Sequence, residues 1–239
     1  LRAARELQRR RGLMPGARLG AHLTLTKRIP VAAGLGGGSS NAAAALVGLD
    51  RLWGCGATQK ELRMMAAALG ADVPFFLVGG AAWGTGRGDE LRPLPDLPHW
   101  WVVLLPSEVP VSTSRVYASL GAPPLRGAPP SPVYDWIRHG GELPLAACRN
   151  DLEPVVLELF SVVRERLGAL LAEQPRLAML SVSGGTVFAL FDDEEGARRC
   201  AGRLAGLGAL AAAVLTREAS LLQPSVEEDS WRSPMFESP

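Results

Sequence analysis

The residues best suited to do chemistry lie in a glycine-rich segment that precedes a predicted helix. Gly34, Gly36, Gly37 and Gly38 place four glycines within five positions, so no Cβ atom there holds the backbone away from a ligand. Free N–H groups at the start of the following helix would point to the same place, which favours a phosphate group. A plain turn with a serine helix cap is the alternative, but this density of glycine favours phosphate binding.

The candidate phosphate loop takes in the residues on both sides of the glycines. Ser39 and Ser40 add hydroxyls that can bond phosphate oxygens or a metal-bound water. The full candidate set is Pro30, Val31, Ala32, Ala33, Gly34, Leu35, Gly36, Gly37, Gly38, Ser39 and Ser40. No Gly-Lys-Ser or Gly-Lys-Thr follows, which excludes a Walker loop. The dinucleotide fingerprint also fails, because its third glycine and its acidic residue are missing.

A second candidate is Asp72, in the segment Gly70-Ala71-Asp72-Val73-Pro74-Phe75-Phe76. A carboxylate beside apolar aromatic residues can act as a general base. The alternative is an ordinary helix N-cap, which the residue type alone would favour.

The glycine segment, followed by Asn41, and the Asp72 segment together resemble the GHMP kinases, a superfamily of small-molecule kinases. The form Gly-Gly-Gly-Ser-Ser-Asn is most similar to the branch that acts on 4-diphosphocytidyl-2-C-methyl-D-erythritol. The resemblance implies transfer of the γ-phosphoryl group of ATP, with Mg²⁺, to the 2-hydroxyl of that small molecule in non-mevalonate isoprenoid biosynthesis. It also implies that Asp72 is the catalytic base.

Three weaker matches support the same family. Thr113 and Tyr117 lie in a segment similar to one that contacts substrate, although Thr113 could instead cap a short helix. The run Asn150-Asp151-Leu152-Glu153-Pro154 matches a family segment that we interpret as a structural helix start. The run Ser181-Val182-Ser183-Gly184-Gly185-Thr186 resembles the third kinase motif, a glycine turn expected near the phosphates.

The chain departs from the family pattern at two places. The third motif has glycine where this chain has Val182, and a β-branched residue disfavours positive φ. Family members also begin with a strand bearing Pro-Ala-Lys-x-Asn-Leu, and a nearby Tyr-His pair holds the cytosine ring. Neither motif occurs in this sequence, and the first predicted helix, residues 1–11, opens without an initiator Met. We therefore expect the N-terminal segment of the family, with its catalytic lysine, to be lacking.

Composition limits the classes of partner. The 239 residues carry a net charge of +1, with 25 basic and 24 acidic residues, so we expect no nucleic-acid or membrane partner. The three cysteines and three histidines show no ligand spacing, which argues against a protein-held metal or a disulfide framework. No apolar run is long enough to span a bilayer, and a cytoplasmic, soluble protein is expected. Nothing in the composition predicts the oligomeric state.

The predicted helices and strands that position these residues indicate an α+β protein. Alternation predicts a strand over 21–27, and helical spacing predicts helices over 41–53, 58–69, 152–171 and 192–207. Continuous apolar runs predict strands over 100–105, 187–191 and 210–215. With the resemblance, this order implies two lobes, one like ribosomal protein S5 domain 2 and one ferredoxin-like. We place the lobes at 1–95 and 96–222, with a disordered tail over 223–239.

The sequence alone leaves two other functions open. One is a GHMP kinase for another small alcohol such as homoserine or mevalonate, which a substrate panel would separate. The other is a catalytically impaired nucleotide-binding fragment, which would bind ATP without turnover.

Overall fold

The computed structural model describes residues 1–12, 19–94, 99–121, 132–142 and 144–213. The helices are, in chain order, α1 Arg2–Arg10, α2 Gly37–Trp53, α3 Gln59–Leu69, α4 Phe75–Val78, α5 Thr113–Leu120, α6 Pro132–His139, α7 Glu153–Leu159, α8 Ser161–Ala172 and α9 Glu194–Arg203. The strands are β1 Ala82–Thr85, β2 Glu90–Pro93, β3 Trp101–Leu105, β4 Leu177–Leu180, β5 Val187–Phe191 and β6 Leu210–Ala213. The predicted tail over 223–239 lies outside the described residues.

The N-terminal helices pack around one apolar core. Leu7 of α1, Leu46 and Leu49 of α2, and Met65 of α3 are completely or almost completely buried there. The predicted capping box at the start of α3 is present: the Thr58 hydroxyl accepts from the Glu61 N–H, and the Glu61 carboxylate accepts from the Thr58 N–H. These contacts hold α2, and with it the phosphate loop, against α1 and α3.

A four-stranded antiparallel sheet forms the C-terminal part, in the order β4-β5-β3-β6. Helix α8 connects β4 to the preceding chain and α9 connects β5 to β6, which gives the βαββαβ arrangement of a ferredoxin-like lobe. Val103, Leu105 and Ala189 point into a core shared with both helices. The predicted α+β class and ferredoxin-like lobe are confirmed.

The opposite face of this sheet is covered by aromatic residues. Phe188 and Leu190 alternate along β5 with the residues of the main core and so face the other side. Trp136 of α6 stacks on Trp100 there, with ring centroids 5.8 Å apart. Trp83 of the β1–β2 hairpin meets Tyr134 edge-on at 4.7 Å, which ties the hairpin to α6. The sequence analysis missed both this hairpin and β4.

The strand predicted over 21–27 is wrong. These residues take an irregular path without strand pairing, and Leu23 and Leu25 are 58% and 63% exposed. A strand is stabilised by hydrogen bonds to a neighbour, and the described residues supply no strand beside this segment. The period-two pattern was therefore insufficient to predict a strand here.

The single helix predicted over 152–171 is also wrong, because Phe160 interrupts it. Phe160 has extended backbone angles, φ −133° and ψ 90°, and it separates α7 from α8. Its half-buried ring packs against the C-terminal core, and the Arg115 guanidinium lies 5.5 Å from the ring centroid. Tertiary packing of this ring outweighs the helical spacing of the surrounding residues.

Two other predicted helices have different bounds in the structure. Helix α2 begins at Gly37, inside the predicted glycine turn, instead of at Asn41. The helix predicted over 192–207 begins at Glu194, capped by the Asp193 carboxylate, and ends at Arg203 before a short 3₁₀ turn.

Candidate active site

The glycine segment is half loop and half helix. Gly36, with φ of +63°, is the N-cap of α2, and no side chain caps this end. The first N–H groups of the helix therefore have no capping side chain, and its first turn carries no acidic residue. Ser40 directs its hydroxyl back to the Gly37 carbonyl at 3.1 Å. The start of α2 thus carries no capping or acidic side chain that would compete with an anion for these N–H groups.

In the loop before the helix, residues of positive φ alternate with residues of negative φ. Ala32 and Gly34 have φ of +58° and +76°. Alternation of this kind turns successive N–H groups toward one side and suits an anion. Pro30 and Val31 are exposed at the entrance to the loop, whereas Ala33 is buried.

The third-motif turn lies directly on this loop. The Ser181 hydroxyl donates to the Gly34 carbonyl at 2.8 Å, and the Thr186 N–H donates to the Ala33 carbonyl at 3.1 Å. Gly184 packs backbone to backbone against Gly34, where an added Cβ would lie 2.1 Å from the Gly34 nitrogen. The two glycine segments therefore form one interlocked unit.

Val182 takes a left-handed backbone conformation, which glycine adopts without strain. Its φ is +54°, and its side chain is 54% exposed. A β-branched residue in the left-handed region costs about 1–2 kcal/mol or more. The turn is consequently strained, and other contacts must hold it.

Asp72 lies in an exposed turn between α3 and α4. The structure does not enclose its carboxylate among the neighbouring phenylalanines. The segment nevertheless reaches the phosphate loop, because the Phe76 ring packs on Gly36: an added Cβ on Gly36 would lie 2.3 Å from the ring. The Asp72 segment and the loop are thus in direct contact.

A groove of about 930 Å³ borders both of these segments. Gly38 and Ser39 of the loop line one side, and Gly70 and Val73, on either side of Asp72, line another. The lining is mainly apolar and also includes Leu23, Leu25, the first residues of α1 and residues of α2 as far as Ala45. It can hold a small molecule with its charged part toward the start of α2.

The two residues predicted to contact substrate lie in helix α5, which begins at Thr113. The cap of this helix is Ser112, which accepts from the Arg115 N–H at 3.4 Å, so Thr113 is not the cap. Thr113 instead shares a hydrogen bond of 2.9 Å between its hydroxyl and that of Ser183 in the third-motif turn. Tyr117, one turn further, is 57% exposed. The structure brings Thr113 to the glycine unit and leaves Tyr117 on the surface.

Lys27 is a residue of this site that the sequence analysis missed. A Cβ added to Gly37, the first residue of α2, would lie 3.0 Å from the Lys27 ammonium nitrogen. No ion pair with a carboxylate is seen for Lys27 within the described ranges. The sequence pattern places it in the predicted strand, although a lysine so close to a glycine-rich loop is itself a signal for phosphate binding.

The described residues contain neither a metal-ligand cluster nor a membrane-spanning helix. Within these ranges, no group of three or more His, Cys, Asp or Glu side chains could hold a metal ion. None of the helices in the same ranges is both long and apolar enough to cross a membrane.

Known protein families match this chain in two places. The GHMP kinases N terminal domain matches residues 1–80, and the GHMP kinases C terminal domain matches residues 137–210. The first match contains the phosphate loop and Asp72, and the second contains the third-motif turn.

Curated relatives of high similarity share one name. A 4-diphosphocytidyl-2-C-methyl-D-erythritol kinase of Parvibaculum lavamentivorans is 45% identical over 204 residues, which is 84% of this chain and 69% of that protein. The enzyme of the same name from Moorella thermoacetica is 44% identical over 208 residues, covering 85% of this chain and 71% of that protein.

Solved structures agree with these relatives. A crystal structure of 4-(cytidine 5'-diphospho)-2C-methyl-D-erythritol kinase has a TM-score of 0.70 at 34% identity, covering 89% of this chain and 77% of its own. A homoserine kinase from Cytophaga hutchinsonii has a TM-score of 0.54 at 20% identity, covering 79% of this chain and 67% of its own. The second match shows a shared fold alone.

Proposed function

Because this chain belongs to the GHMP kinases, in the family of 4-diphosphocytidyl-2-C-methyl-D-erythritol kinases, we propose that it phosphorylates the 2-hydroxyl of that compound with ATP. This places it in isoprenoid precursor biosynthesis. The observation that carries the proposal is the contact between Phe76 and Gly36, which joins the Asp72 segment to the phosphate loop. A kinase needs these two parts side by side, because the acceptor hydroxyl must meet the γ-phosphate in line.

The loop over 30–40 binds the triphosphate of ATP, the phosphate donor of the GHMP kinases. Three features support this role: the uncapped start of α2, the left-handed loop residues, and the Lys27 ammonium beside Gly37. All three favour negative charge at one point. Ser39 and Ser40 lie in the first turn of the helix, where the Ser39 hydroxyl can contact phosphate oxygens and the Ser40 hydroxyl can do so on leaving the Gly37 carbonyl.

We assign Mg²⁺ to the bound nucleotide instead of to a dedicated protein site. Mg²⁺ usually keeps several waters and is held by substrate phosphates with one or two carboxylates. The ion supplies neutralisation of the phosphate charge during transfer.

Asp72 is the proposed catalytic residue, and Thr113 and Tyr117 the proposed substrate contacts. Asp72 would accept the proton of the acceptor hydroxyl as that oxygen attacks the γ-phosphate. Its neighbours Gly70 and Val73 line the groove that also reaches the phosphate loop. The Thr113 hydroxyl lies beside the glycine unit through Ser183, so it is near the expected position of the acceptor.

We also propose lobe bounds of 1–95 and 96–222. Two separate apolar cores support them: one is formed by residues between Ala3 and Leu77, and the other by residues between Val103 and Cys200. The proposed boundary itself falls in 95–98, outside the described residues.

A substrate panel tests the proposed function. We expect ATP-dependent phosphorylation of 4-diphosphocytidyl-2-C-methyl-D-erythritol and none of homoserine or mevalonate, followed by ADP release and by mass spectrometry of the product. The homoserine and mevalonate kinase structures are only 20% and 10% identical to this chain, so their likeness gives no support to those substrates. Comparable kcat/KM for either alternative alcohol would overturn the proposal. ATP binding without any turnover would instead favour the impaired nucleotide-binding protein.

A further inference from the structure

The strained Val182 turn is held by hydrogen bonds from the segment that begins helix α7. The Asn150 carboxamide nitrogen donates to the Val182 carbonyl at 2.6 Å and to the Leu180 carbonyl at 3.1 Å. The Glu153 carboxylate accepts from the Leu180 N–H at 2.6 Å. Three hydrogen bonds from one short segment therefore hold the chain on either side of Ser181.

These three hydrogen bonds fix the position of Ser181. Its hydroxyl donates to the Gly34 carbonyl, and Gly184 packs on Gly34 within the same turn. The Asn150 side chain bonds to Leu180, Val182 and Leu152 and, among the described residues, not to the phosphate loop, so any influence of Asn150 on that loop must pass through the turn.

We propose that Asn150 is a positioning residue for ATP binding, whose amide donors hold the left-handed Val182 turn against the phosphate loop. The inference rests on the proposed function, in which that loop binds the ATP phosphates. Glycine would adopt this turn without strain, whereas valine disfavours the left-handed backbone conformation that it has here. The hydrogen bond to the Val182 carbonyl offsets that preference and keeps Ser181 and Gly184 in contact with Gly34.

The competing role for Asn150 is purely local. Its carboxamide oxygen accepts from the Leu152 N–H at 3.0 Å, a turn that helps to start α7. Asn150→Asp separates the two roles, because aspartate keeps the accepting oxygen and loses both donors. Asp151→Asn is the matched control: Asp151 is exposed and pairs with Arg149, and its side chain shows no bond to the turn.

The experiment measures ATP affinity by calorimetric titration, steady-state KM and kcat, and melting temperature for each variant. We expect Asn150→Asp to raise the Kd and KM for ATP about tenfold, with the KM for the phosphate acceptor little changed. Val182→Gly in the same background should recover most of this loss, because a relaxed turn no longer needs to be held. Asp151→Asn should behave as the wild type.

Several results would decide against the inference. Unchanged ATP affinity in folded Asn150→Asp would show that the residue is only a local cap. If Val182→Gly does not recover ATP affinity in the Asn150→Asp background, strain in the turn is not the reason that Asn150 is needed. If Asn150→Asp does not fold, Val182→Gly is compared with the double variant, and a tenfold difference in ATP affinity between those two would overturn the proposal. A wild-type chain that binds no ATP would overturn the proposed function together with this inference, whereas the other results affect this inference alone.

Discussion

Gly184 and Gly34 approach so closely that a methyl group on Gly184 would lie 2.1 Å from the Gly34 nitrogen and 2.3 Å from its Cα. The obstacle is backbone and cannot rotate away as a flexible side chain can. The contact joins the third-motif turn to the phosphate loop over 150 positions of sequence. It makes the absence of a side chain at Gly184 a requirement of the site.

Gly184→Ala should therefore force the two motifs apart. We expect a loss of stability of about 1–3 kcal/mol, as for an overpacked core, together with at least a tenfold rise in the Kd for ATP. Chemical denaturation and calorimetric titration check the two effects. Gly168→Ala is the control, because Gly168 lies in α8 with open space around it and should be neutral or slightly stabilising. Equal behaviour of both variants would argue against the close contact.

Gly38→Val separates the binding role of the loop from its structural role. Gly38 is exposed in the first turn of α2, borders the groove, and has no atom near an added Cβ. The valine should weaken ATP binding about tenfold or more by occupying the phosphate position, yet leave the melting temperature unchanged or slightly higher. Gly48→Val, also exposed with open space around it but in the fourth turn of the same helix, provides the control. ATP affinity that survives in Gly38→Val would place the phosphates elsewhere.

Lys27→Met tests the ammonium group beside Gly37. Loss of a charged hydrogen-bond donor to phosphate should raise the Kd for ATP about tenfold, with a smaller effect at high salt, where the charge is already screened. Lys60→Met removes the other lysine of the chain, an exposed residue near the start of α3, and should leave ATP affinity unchanged. If both variants lose affinity equally, the effect is one of net charge and not of position.

Asp72→Asn should remove turnover while leaving nucleotide binding intact. The amide cannot accept the acceptor proton, so we expect kcat to fall on the order of a hundredfold or more. ATP affinity should change less, since the carboxylate is assigned to the acceptor hydroxyl. Asp135→Asn, on the exposed side of α6, is the comparison variant. A large loss of ATP affinity with unchanged kcat would show that Asp72 contacts the nucleotide and not the acceptor hydroxyl.

Much of the site could be predicted from the sequence because its signals are local. Four glycines before a helix remove side chains and leave N–H groups free, whatever the rest of the chain does. The capping box of Thr58 and Glu61 closes within four residues, and its bonds are present as predicted. The apolar runs of β3 and β5 likewise carry their strand character within five residues.

Other features depend on partners that no local pattern records. The alternation over 21–27 predicts a strand, yet a strand needs a neighbour to accept its hydrogen bonds, and the described chain places none there. The interruption of the helix at Phe160 arises because its ring packs into a core built by distant elements.

The sequence by itself determined that the backbone of the phosphate loop is free of side chains at its four glycines, because the effect of glycine is steric and acts within its own peptide units. Only the tertiary structure decided what holds that loop. Ser181 reaches Gly34 across 147 positions, and Asn150 reaches Val182 across 32, through contacts that exist only after the two cores have packed. Val182 adopts a left-handed turn for the same reason, since contacts made on folding outweigh the preference of its own side chain.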